Sequence, residues 1–235
     1  MTVYAIGDLH LPAEQKPMDV FGPHWIDHFQ RISEDWRARV SDEDVVLIPG
    51  DITWAMQLDA ARPDLNAIGA LPGRKIITRG NHDFWWSAIG RVRDALPEGM
   101  YALQNDGMAL DGVLFAGTRG WTLAMDADAD PADRKIFQRE QMRLEMSLKS
   151  ARRLSETLPL VVMMHYPPLT EGCRETPFTQ LLSRYRAEHV VYGHLHGPAL
   201  YGAFKGVHEG VRYHQVSCDG LNFRLHEVMR PTGDA

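Results

Sequence analysis

The chain has 235 residues, of which 44% are hydrophobic and 24% are charged, and its formal net charge is −6. These proportions are those of a globular protein and exclude an extended disordered chain, while the acidic balance argues against a nucleic-acid-binding surface along the whole chain. The length allows one large α/β domain or two small ones. Because the sequence contains no internal repeat and no low-complexity linker, we expect a single domain over residues 1–235.

The sequence carries no sign of export or of a membrane. The N-terminal residues enter a predicted strand directly, without the basic leader and apolar core of a signal peptide, and no apolar run is long enough to span a bilayer. The two cysteines, Cys173 and Cys218, lack a metal-binding spacing, and reduced thiols are expected in a domain of this size. We therefore expect a cytoplasmic protein without membrane association, and nothing in the pattern specifies an oligomeric state.

Apolar runs of strand length alternate with segments of helical periodicity in the first hundred residues. Strands are predicted at 3–6, 45–48 and 75–78, and helices at 25–40, 55–68 and 86–95. The run at 45–48 is continuously apolar, which is typical of a strand buried on both faces. The alternation predicts a parallel sheet with right-handed crossovers.

The second half of the chain changes its pattern. A hairpin is predicted at 108–116, a helix from Asp130 to Leu154, a strand at 160–164, a helix at 177–187 and a strand at 190–192. Asp130 at the N-cap with Pro131 at the first helical position predicts the start of the long helix, although the segment 119–135 could instead form a lid over a site. From residue 199 to 228 the period falls to two, which predicts antiparallel strands in a second sheet.

Polar residues follow the predicted strands at the point where each strand ends. They are Asp8, His10, Asp51, Asn81, His82, His165, His194 and His196. This set is too large for one metal ion and suits two divalent ions a few ångströms apart, a recurring device for displacement at phosphorus, with one carboxylate bridging them. Ligands rich in histidine and poor in carboxylate favour Mn, Fe, Co, Ni or Zn over Mg or Ca.

The order of these motifs resembles the calcineurin-like metallophosphoesterase superfamily. The motifs are Gly-Asp-Leu-His at 7–10, Gly-Asp at 50–51, Arg-Gly-Asn-His-Asp at 79–83, the strand-end His165 and Gly-His-Leu-His at 193–196. The resemblance implies an α/β fold of four layers, an αββα sandwich in which two mixed β-sheets pack face to face and are flanked by helices. It also implies a phosphoester hydrolase whose nucleophile is a hydroxide that bridges the two metals.

The resemblance further implies a role for each motif residue. Asp8, His10 and His196 would bind the first metal, Asp51 would bridge the two metals and thereby act in catalysis, and Asn81, His165 and His194 would complete the second metal site. His82 would contact the leaving-group oxygen as a catalytic general acid.

The sequence departs from the family pattern at one position. The second Asp of the family's Gly-Asp-x-x-Asp motif, which orients the catalytic His, is Trp54 here. Asp83 or a backbone carbonyl would then have to orient His82, or His82 would act unassisted. Arg79 matches the Arg-Gly-Asn-His form of the Ser/Thr phosphatase branch, where this Arg binds phosphate, and we expect Arg79, Asn81 and Arg119 to contact substrate.

These expectations define a dinuclear metal-dependent phosphoesterase that acts on a small phosphorylated substrate. A phosphodiesterase for a cyclic nucleotide or a similar small diester is favoured by analogy. The alternatives are a phosphomonoesterase, including one resembling protein Ser/Thr phosphatases, and a non-catalytic metal-binding scaffold. The intact ligand set argues against the scaffold, and the acidic net charge argues against a nuclease.

Overall fold

A computed structural model describes residues 1–13, 16–125 and 128–230. The strands are β1 (Val3–Ala5), β2 (Val45–Ile48), β3 (Arg74–Ile77), β4 (Met100–Ala102), β5 (Gly107–Leu110), β6 (Val113–Thr118), β7 (Leu160–Met164), β8 (His189–Tyr192), β9 (Gly206–His208), β10 (Val211–Gln215) and β11 (His226–Met229). The α-helices are α1 (His28–Arg39), α2 (Leu58–Gly69), α3 (Ile89–Ala95), α4 (Pro131–Leu154) and α5 (Pro177–Arg184). Short 3₁₀ helices occupy Met18–Phe21, Pro23–Trp25 and Gly197–Gly202.

The strands form two mixed sheets. The first has the order β11-β1-β2-β3-β4, and the second has the order β5-β6-β7-β8-β10-β9. Neighbouring strands from β1 to β4 are parallel, as are β6, β7, β8 and β10, while β11, β5 and β9 are antiparallel at the edges. The parallel sheet predicted for the first hundred residues is therefore confirmed.

Three layers of apolar side chains show how the sheets and helices stack. Ile32 and Trp36 of α1 pack on the outer face of the first sheet. Leu47 of the first sheet packs against Phe115 of the second, and Leu144 of α4 packs on the outer face of the second. Strands buried on both faces need continuous apolar sequence, and β2 and β7 are fully buried along their length. The predicted αββα sandwich is confirmed.

The antiparallel strands predicted within 199–228 are confirmed for β9 with β10 and for β11 with β1, but the prediction is wrong in three other respects. The first part of the segment is the 3₁₀ helix Gly197–Gly202, β10 lies parallel to β8, and β11 joins the first sheet beside β1. A period of two shows that one face of a strand is buried, but it does not determine which strand pairs with it. The three-residue strand β4 was not predicted because it is too short for a periodic signal.

The predicted start of the long helix is confirmed. The Asp130 carboxylate accepts hydrogen bonds from the backbone N–H groups of Ala132 (2.7 Å) and Asp133 (3.4 Å), and Pro131 is the first helical residue. Residues 126 and 127 of the possible lid lie outside the described residues, so the lid stays a prediction, as does the single domain. Over the described ranges, no helix has both the length and the apolar character needed to cross a bilayer.

Candidate metal centre

The carboxyl ends of five parallel strands meet at one edge of the sandwich. Asp8 follows β1, Asp51 follows β2, Asn81 follows β3, His165 follows β7 and His194 follows β8. Strands that run parallel end at the same edge of a sheet, and ligand sites gather there. The structure thus brings the polar strand ends of both sheets to one place, as the sequence predicts.

Among the described residues, three groups of side chains have the spacing of metal ligands. In the group Glu175, His208 and Glu209 both carboxylates are exposed, which is common without a bound ion. The other two groups share Asp8. One group is Asp8, His10 and His196, the other is Asp8, Asp51 and His165, and within each group the ligand atoms lie within 4.8 Å of one another. His10 Nε2 lies 3.4 Å from His196 Nε2, and Asp8 Oδ1 lies 3.8 Å from His196 Nε2. Overlapping groups of this kind suit two ions that share a ligand.

Asp51, which belongs to the second group, also faces the first, and Asn81 lies beside the second group. Asp51 Oδ2 lies 3.7 Å from His10 Nε2 and 3.6 Å from His165 Nε2, so this one oxygen faces both groups. Asn81 Oδ1 lies 2.6 Å from His165 Nε2 and 2.9 Å from His194 Nδ1. All seven side chains predicted as ligands therefore lie in one cluster.

Two of the imidazoles, those of His165 and His196, are fixed by a hydrogen bond from Nδ1, the ring nitrogen that is not proposed to bind metal. His165 Nδ1 donates to the Pro49 carbonyl (3.0 Å), and His196 Nδ1 donates to the Asp219 carboxylate (2.9 Å). Each bond leaves Nε2 as the free lone pair that faces the cluster, which is how ligating histidines are usually oriented. Asp219 was not predicted as a site residue.

The backbone at the site is strained and closely packed. Four of the proposed ligands have a positive φ, between 44° and 72°, namely Asp8, His10, Asp51 and His194. Such conformations cost about 1–3 kcal/mol each and persist where the surrounding structure enforces them, often at functional sites. A Cβ at Gly80 would collide with Asp51, and one at Gly193 would collide with the Asp8 carboxylate, so only glycine fits beside these two ligands.

The electrostatics of the cluster fit divalent cations. Burial raises the pKa of Asp8 to about 7, an effect opposed by His196 and reinforced by Asp51, and burial also raises the pKa of Asp51. Burial lowers the pKa of His165 and of His194 to about 3. Neutral imidazoles are the ligating form, and two buried carboxylates need positive charge to compensate them. The donor set, nitrogen-rich with two carboxylates, suits the transition metals named above.

The surroundings of His82 argue against two of the three alternatives for its orientation, Asp83 and a backbone carbonyl. Asp83 is fully buried, and its carboxylate accepts from the backbone N–H groups of Asp51, Ile52 and Gly80 and from the Trp85 indole. It holds two loops of the site together and does not orient His82. Within the described residues the His82 ring makes no hydrogen bond to Asp83 or to a backbone carbonyl.

Trp54 takes the place beside His82 instead. Its ring lies 4.5 Å from the His82 ring between centroids, and it stacks on His10 at 4.8 Å with an interplanar angle of 19°. The His82 backbone N–H donates to Asp51 Oδ1 (2.8 Å). The residue that replaces the family's second Asp therefore contacts both a proposed ligand and the proposed acid through its ring.

Arg79 and Arg119 lie next to the cluster rather than within it. Both line a cavity of about 220 Å³ at the same edge of the sandwich, and the Nε atom of each is buried without a hydrogen-bond partner among the described residues. The Arg119 carbonyl accepts from the backbone N–H groups of His165 (3.1 Å) and Tyr166 (2.9 Å). This pairing holds Arg119 beside a proposed ligand.

A sandwich that gathers carboxylates and imidazoles into two overlapping groups at one strand edge belongs to the class of metal-dependent hydrolases. The chain belongs to the calcineurin-like phosphoesterase family, whose model matches residues 1–198. Membership makes it a metal-dependent phosphoesterase, and the family typically binds two divalent metals.

Comparison with individual proteins adds little to this assignment. The structure of a protein of unknown function, AQ665 from Aquifex aeolicus, is 16% identical, covers 95% of this chain and 94% of its own, and has a TM-score of 0.49. No curated protein matches the chain.

Proposed function

We propose that the protein hydrolyses a small phosphodiester at a dinuclear metal centre. The observation that carries the proposal is the overlap of the two ligand groups at Asp8, with Asp51 Oδ2 within 3.7 Å of a histidine from each group. His10 and His196 complete the first site, and Asn81, His165 and His194 complete the second.

When bound, two divalent ions such as Mn, Fe, Co, Ni or Zn supply Lewis-acid activation of water and of the phosphoryl oxygens. The chain supplies the rest. Asp51 connects the two metal sites to the loop of His82. Its Oδ2 atom faces both ligand groups, and its Oδ1 atom accepts a hydrogen bond from the backbone N–H of His82. The same bond fixes the position of His82 relative to the two ligand groups.

His82 is the proposed general acid. Its side chain belongs to neither ligand group, and its ring lies 5.8 Å from that of His10 between centroids. In this position it donates a proton from a ring nitrogen to the leaving-group oxygen as the ester bond breaks. Contact with the Trp54 ring, rather than a carboxylate, limits the orientations that the His82 ring adopts.

Arg79, Asn81 and Arg119 are the proposed substrate contacts. A guanidinium group binds phosphate oxygens through paired charge-assisted hydrogen bonds, and the unpartnered Nε atoms of Arg79 and Arg119 are available for such bonds. Asn81 lies between the two proposed histidine ligands of the second site and can direct its amide N–H toward a bound oxygen.

A phosphomonoesterase is the second candidate. Two arginines beside the cluster suit a dianionic monoester, which carries one more charge than a diester, and this observation keeps activity of the protein Ser/Thr phosphatase type open. A non-catalytic scaffold is disfavoured because all seven ligand side chains and His82 are present.

The deciding experiment combines metal analysis with two aryl substrates. Purified protein supplied with Mn²⁺ is assayed by elemental analysis and by turnover of bis(p-nitrophenyl) phosphate and p-nitrophenyl phosphate. The proposal expects about two metal ions per chain and a higher kcat/KM for the diester. A preference for the monoester would transfer the proposal to a phosphatase, and bound metal without turnover of either compound would favour the scaffold.

A further inference from the structure

A basic cavity adjoins the proposed metal centre. Its volume is about 220 Å³, and it is lined by Arg79, Leu103, Gln104, Asn105, Thr118, Arg119, Arg139, Glu140 and Arg143. We call it the arginine pocket. Loops from the carboxyl ends of β3, β4 and β6 form its walls, and α4 closes it.

The charges of the arginine pocket do not balance. Four arginines face one carboxylate, that of Glu140, whose side chain is 1% exposed. Glu140 accepts from Arg143 (2.6 Å) and Thr118 Oγ1 (2.7 Å), and lies 3.9 Å from Arg119. Buried carboxylates require such a partner, so Glu140 explains one arginine and leaves a net charge of about +3 in the pocket.

The other three arginines differ in their partners: Arg119 lies 3.9 Å from Glu140 and over the Trp121 ring, 4.6 Å from its centroid. Neither Arg79 nor Arg139 has a carboxylate within 4.0 Å anywhere in residues 1–13, 16–125 and 128–230. The Nε atoms of Arg79 and Arg119 are buried and unsatisfied in the described part of the chain. Orphaned buried donors beside uncompensated cations are the features of a site that binds an anion with several oxygens.

The arginine pocket and the metal centre share a wall. Arg79 precedes the proposed ligand Asn81 by two residues. Arg119 directly follows β6, and the pairing of Thr118 with Met164 places it beside His165. An anion in the pocket therefore lies within reach of a small molecule whose scissile ester is at the metal centre.

We propose that the arginine pocket binds a second phosphate group of the substrate, so that the physiological substrate is a small phosphoester carrying another phosphate. The inference rests on the proposed function, since it takes the metal centre as the place of hydrolysis. Arg139 and Arg143 hold the second phosphate from α4, while Arg79 and Arg119 lie between it and the scissile group.

Binding of inorganic phosphate tests the pocket without turnover. Equilibrium dialysis of the Mn²⁺-loaded protein against radiolabelled phosphate is expected to give two ions per chain, one at the metals and one in the pocket. The variant R139Q/R143Q is expected to retain one ion, and R153Q, an exposed arginine further along the same helix, is expected to retain two. One ion in the wild type, or two in R139Q/R143Q, would overturn the proposal.

Arg143 also compensates Glu140, so the double variant could fail to fold. Arg139→Gln alone breaks no ion pair among the described residues, and circular dichroism checks its fold. We expect this variant to bind the second phosphate ion about tenfold or more weakly than the wild type, since a charge-assisted hydrogen bond contributes at least that factor to affinity. An unchanged second affinity in folded Arg139→Gln would contradict the proposal.

A matched pair of chromogenic diesters places the second phosphate on the substrate. The pair is thymidine 5′-(p-nitrophenyl phosphate) and the same compound with a 3′-phosphate. The ratio of their kcat/KM values cancels differences in metal loading and folded fraction. In the wild type we expect the kcat/KM of the 3′-phosphorylated diester to exceed that of the other diester by a factor of about ten or more, again from one charge-assisted hydrogen bond. In Arg139→Gln we expect this ratio to be near one. Absence of turnover with both diesters would overturn the proposed function, and the phosphate titration would still decide the pocket.

Discussion

Two clusters of histidines in this protein use the same side chain in opposite ways. In the metal centre, the ring nitrogens of His10, His165 and His196 face the carboxylates of Asp8 and Asp51. In the second cluster, the rings of three histidines hydrogen-bond to one another: His189 Nδ1 to His214 Nε2 at 3.0 Å, and His214 Nδ1 to His226 Nε2 at 2.8 Å. We call this second cluster the histidine chain.

The difference lies in what the nitrogens face and in where the residues stand. A neutral imidazole has one donor and one acceptor, so a row of three satisfies its inner nitrogens without any metal. The members of the histidine chain lie within strands β8, β10 and β11 and link the two sheets, whereas the proposed ligands follow strand ends, several with strained backbone. In this protein the convergence of histidine nitrogens on carboxylates distinguishes the proposed metal centre from the histidine chain.

The largest expected effect is the loss of phosphoester hydrolysis on substitution in the metal centre, which substitution in the histidine chain should not cause. Asp51→Asn removes the charge that faces both ligand groups but keeps an oxygen for the His82 N–H, so the fold is retained. We expect kcat/KM to fall by about a thousandfold or more, since metal-centred charge stabilisation is worth several kcal/mol. Aryl phosphoester turnover and elemental analysis measure the loss.

The matched control for Asp51→Asn is His214→Asn in the histidine chain. Its metal content and its kcat/KM are expected to stay within about twofold of the wild type, since surface or structural changes away from a site leave its chemistry intact. Full activity in Asp51→Asn would refute the two-metal arrangement.

The second prediction concerns His82, which lies beside the centre and is not counted as a ligand. His82→Ala is expected to keep both metals and to lose about 10²–10⁴ in kcat, the usual contribution of a general acid. The loss is expected to be largest with poorly leaving alcohols and smallest with p-nitrophenol, because a good leaving group needs little protonation. A fall in metal content would instead show that His82 is a ligand.

The clustering of the proposed ligands could be predicted because each of them lies in a short motif after a buried strand. Asp219 could not, although it fixes His196. Its position depends on β10 lying parallel to β8, with Gln215 opposite Tyr192, so that the chain leaving β10 passes beside the chain leaving β8. The sequence pattern favoured antiparallel strands there, and a carboxylate four residues beyond such a strand carries no signal of its own.

The arginine pocket illustrates a second limit of sequence interpretation. Arg79 and Arg119 could be predicted because they follow strands at the site edge, but Arg139 and Arg143 lie one helical turn apart on α4. Such a pair on a long charged helix is typical of a solvated face. The packing of α4 against β5 and β6 determines which face lies beside the site, and that is a property of the assembled fold.

The third prediction sharpens the role of Asp219. Asp219→Ala removes the acceptor of His196 Nδ1 and of the Gly197 N–H, and we expect metal affinity or activity to fall by about 10–100-fold, as for other partners of ligating histidines. Titration with Mn²⁺ measures the affinity. Asp219→Asn, which keeps an acceptor oxygen, is expected to fall between Ala and wild type, and equal behaviour of the two variants would contradict an orienting role.

The last prediction concerns stability rather than activity, namely a pH dependence that arises from the histidine chain. Burial lowers the pKa of His214 to about 3, with His226, His189 and Arg212 adding to the shift, and burial likewise lowers the pKa of His189 and of His226. Of the charged groups around His226, Arg39 and Lys205 lower its pKa and Glu227 raises it. These side chains are therefore neutral in the folded protein and protonate first in the unfolded chain.

The sign of the effect follows from that order of protonation. Above pH 6.5 the histidine side chains are neutral in both the folded and the unfolded state, and the stability due to the histidine chain is fully present. As the pH falls from 6.5 toward 3, protons bind the unfolded state preferentially and this stability is lost. For His214 the loss is on the order of 3 kcal/mol between pH 6.5 and pH 4. His214→Asn keeps a donor and an acceptor but does not titrate, so urea unfolding is expected to find it about 1 kcal/mol less stable than wild type at pH 8, the worth of imperfect hydrogen bonds.

That deficit of His214→Asn is expected to shrink and then reverse as the pH falls. The comparison between variant and wild type cancels the acid sensitivity of the metal ligands, which both proteins share. A deficit that stays constant from pH 8 to pH 4 would mean that His214 is not held neutral in the fold, and the contrast between the two histidine clusters would then rest on geometry alone.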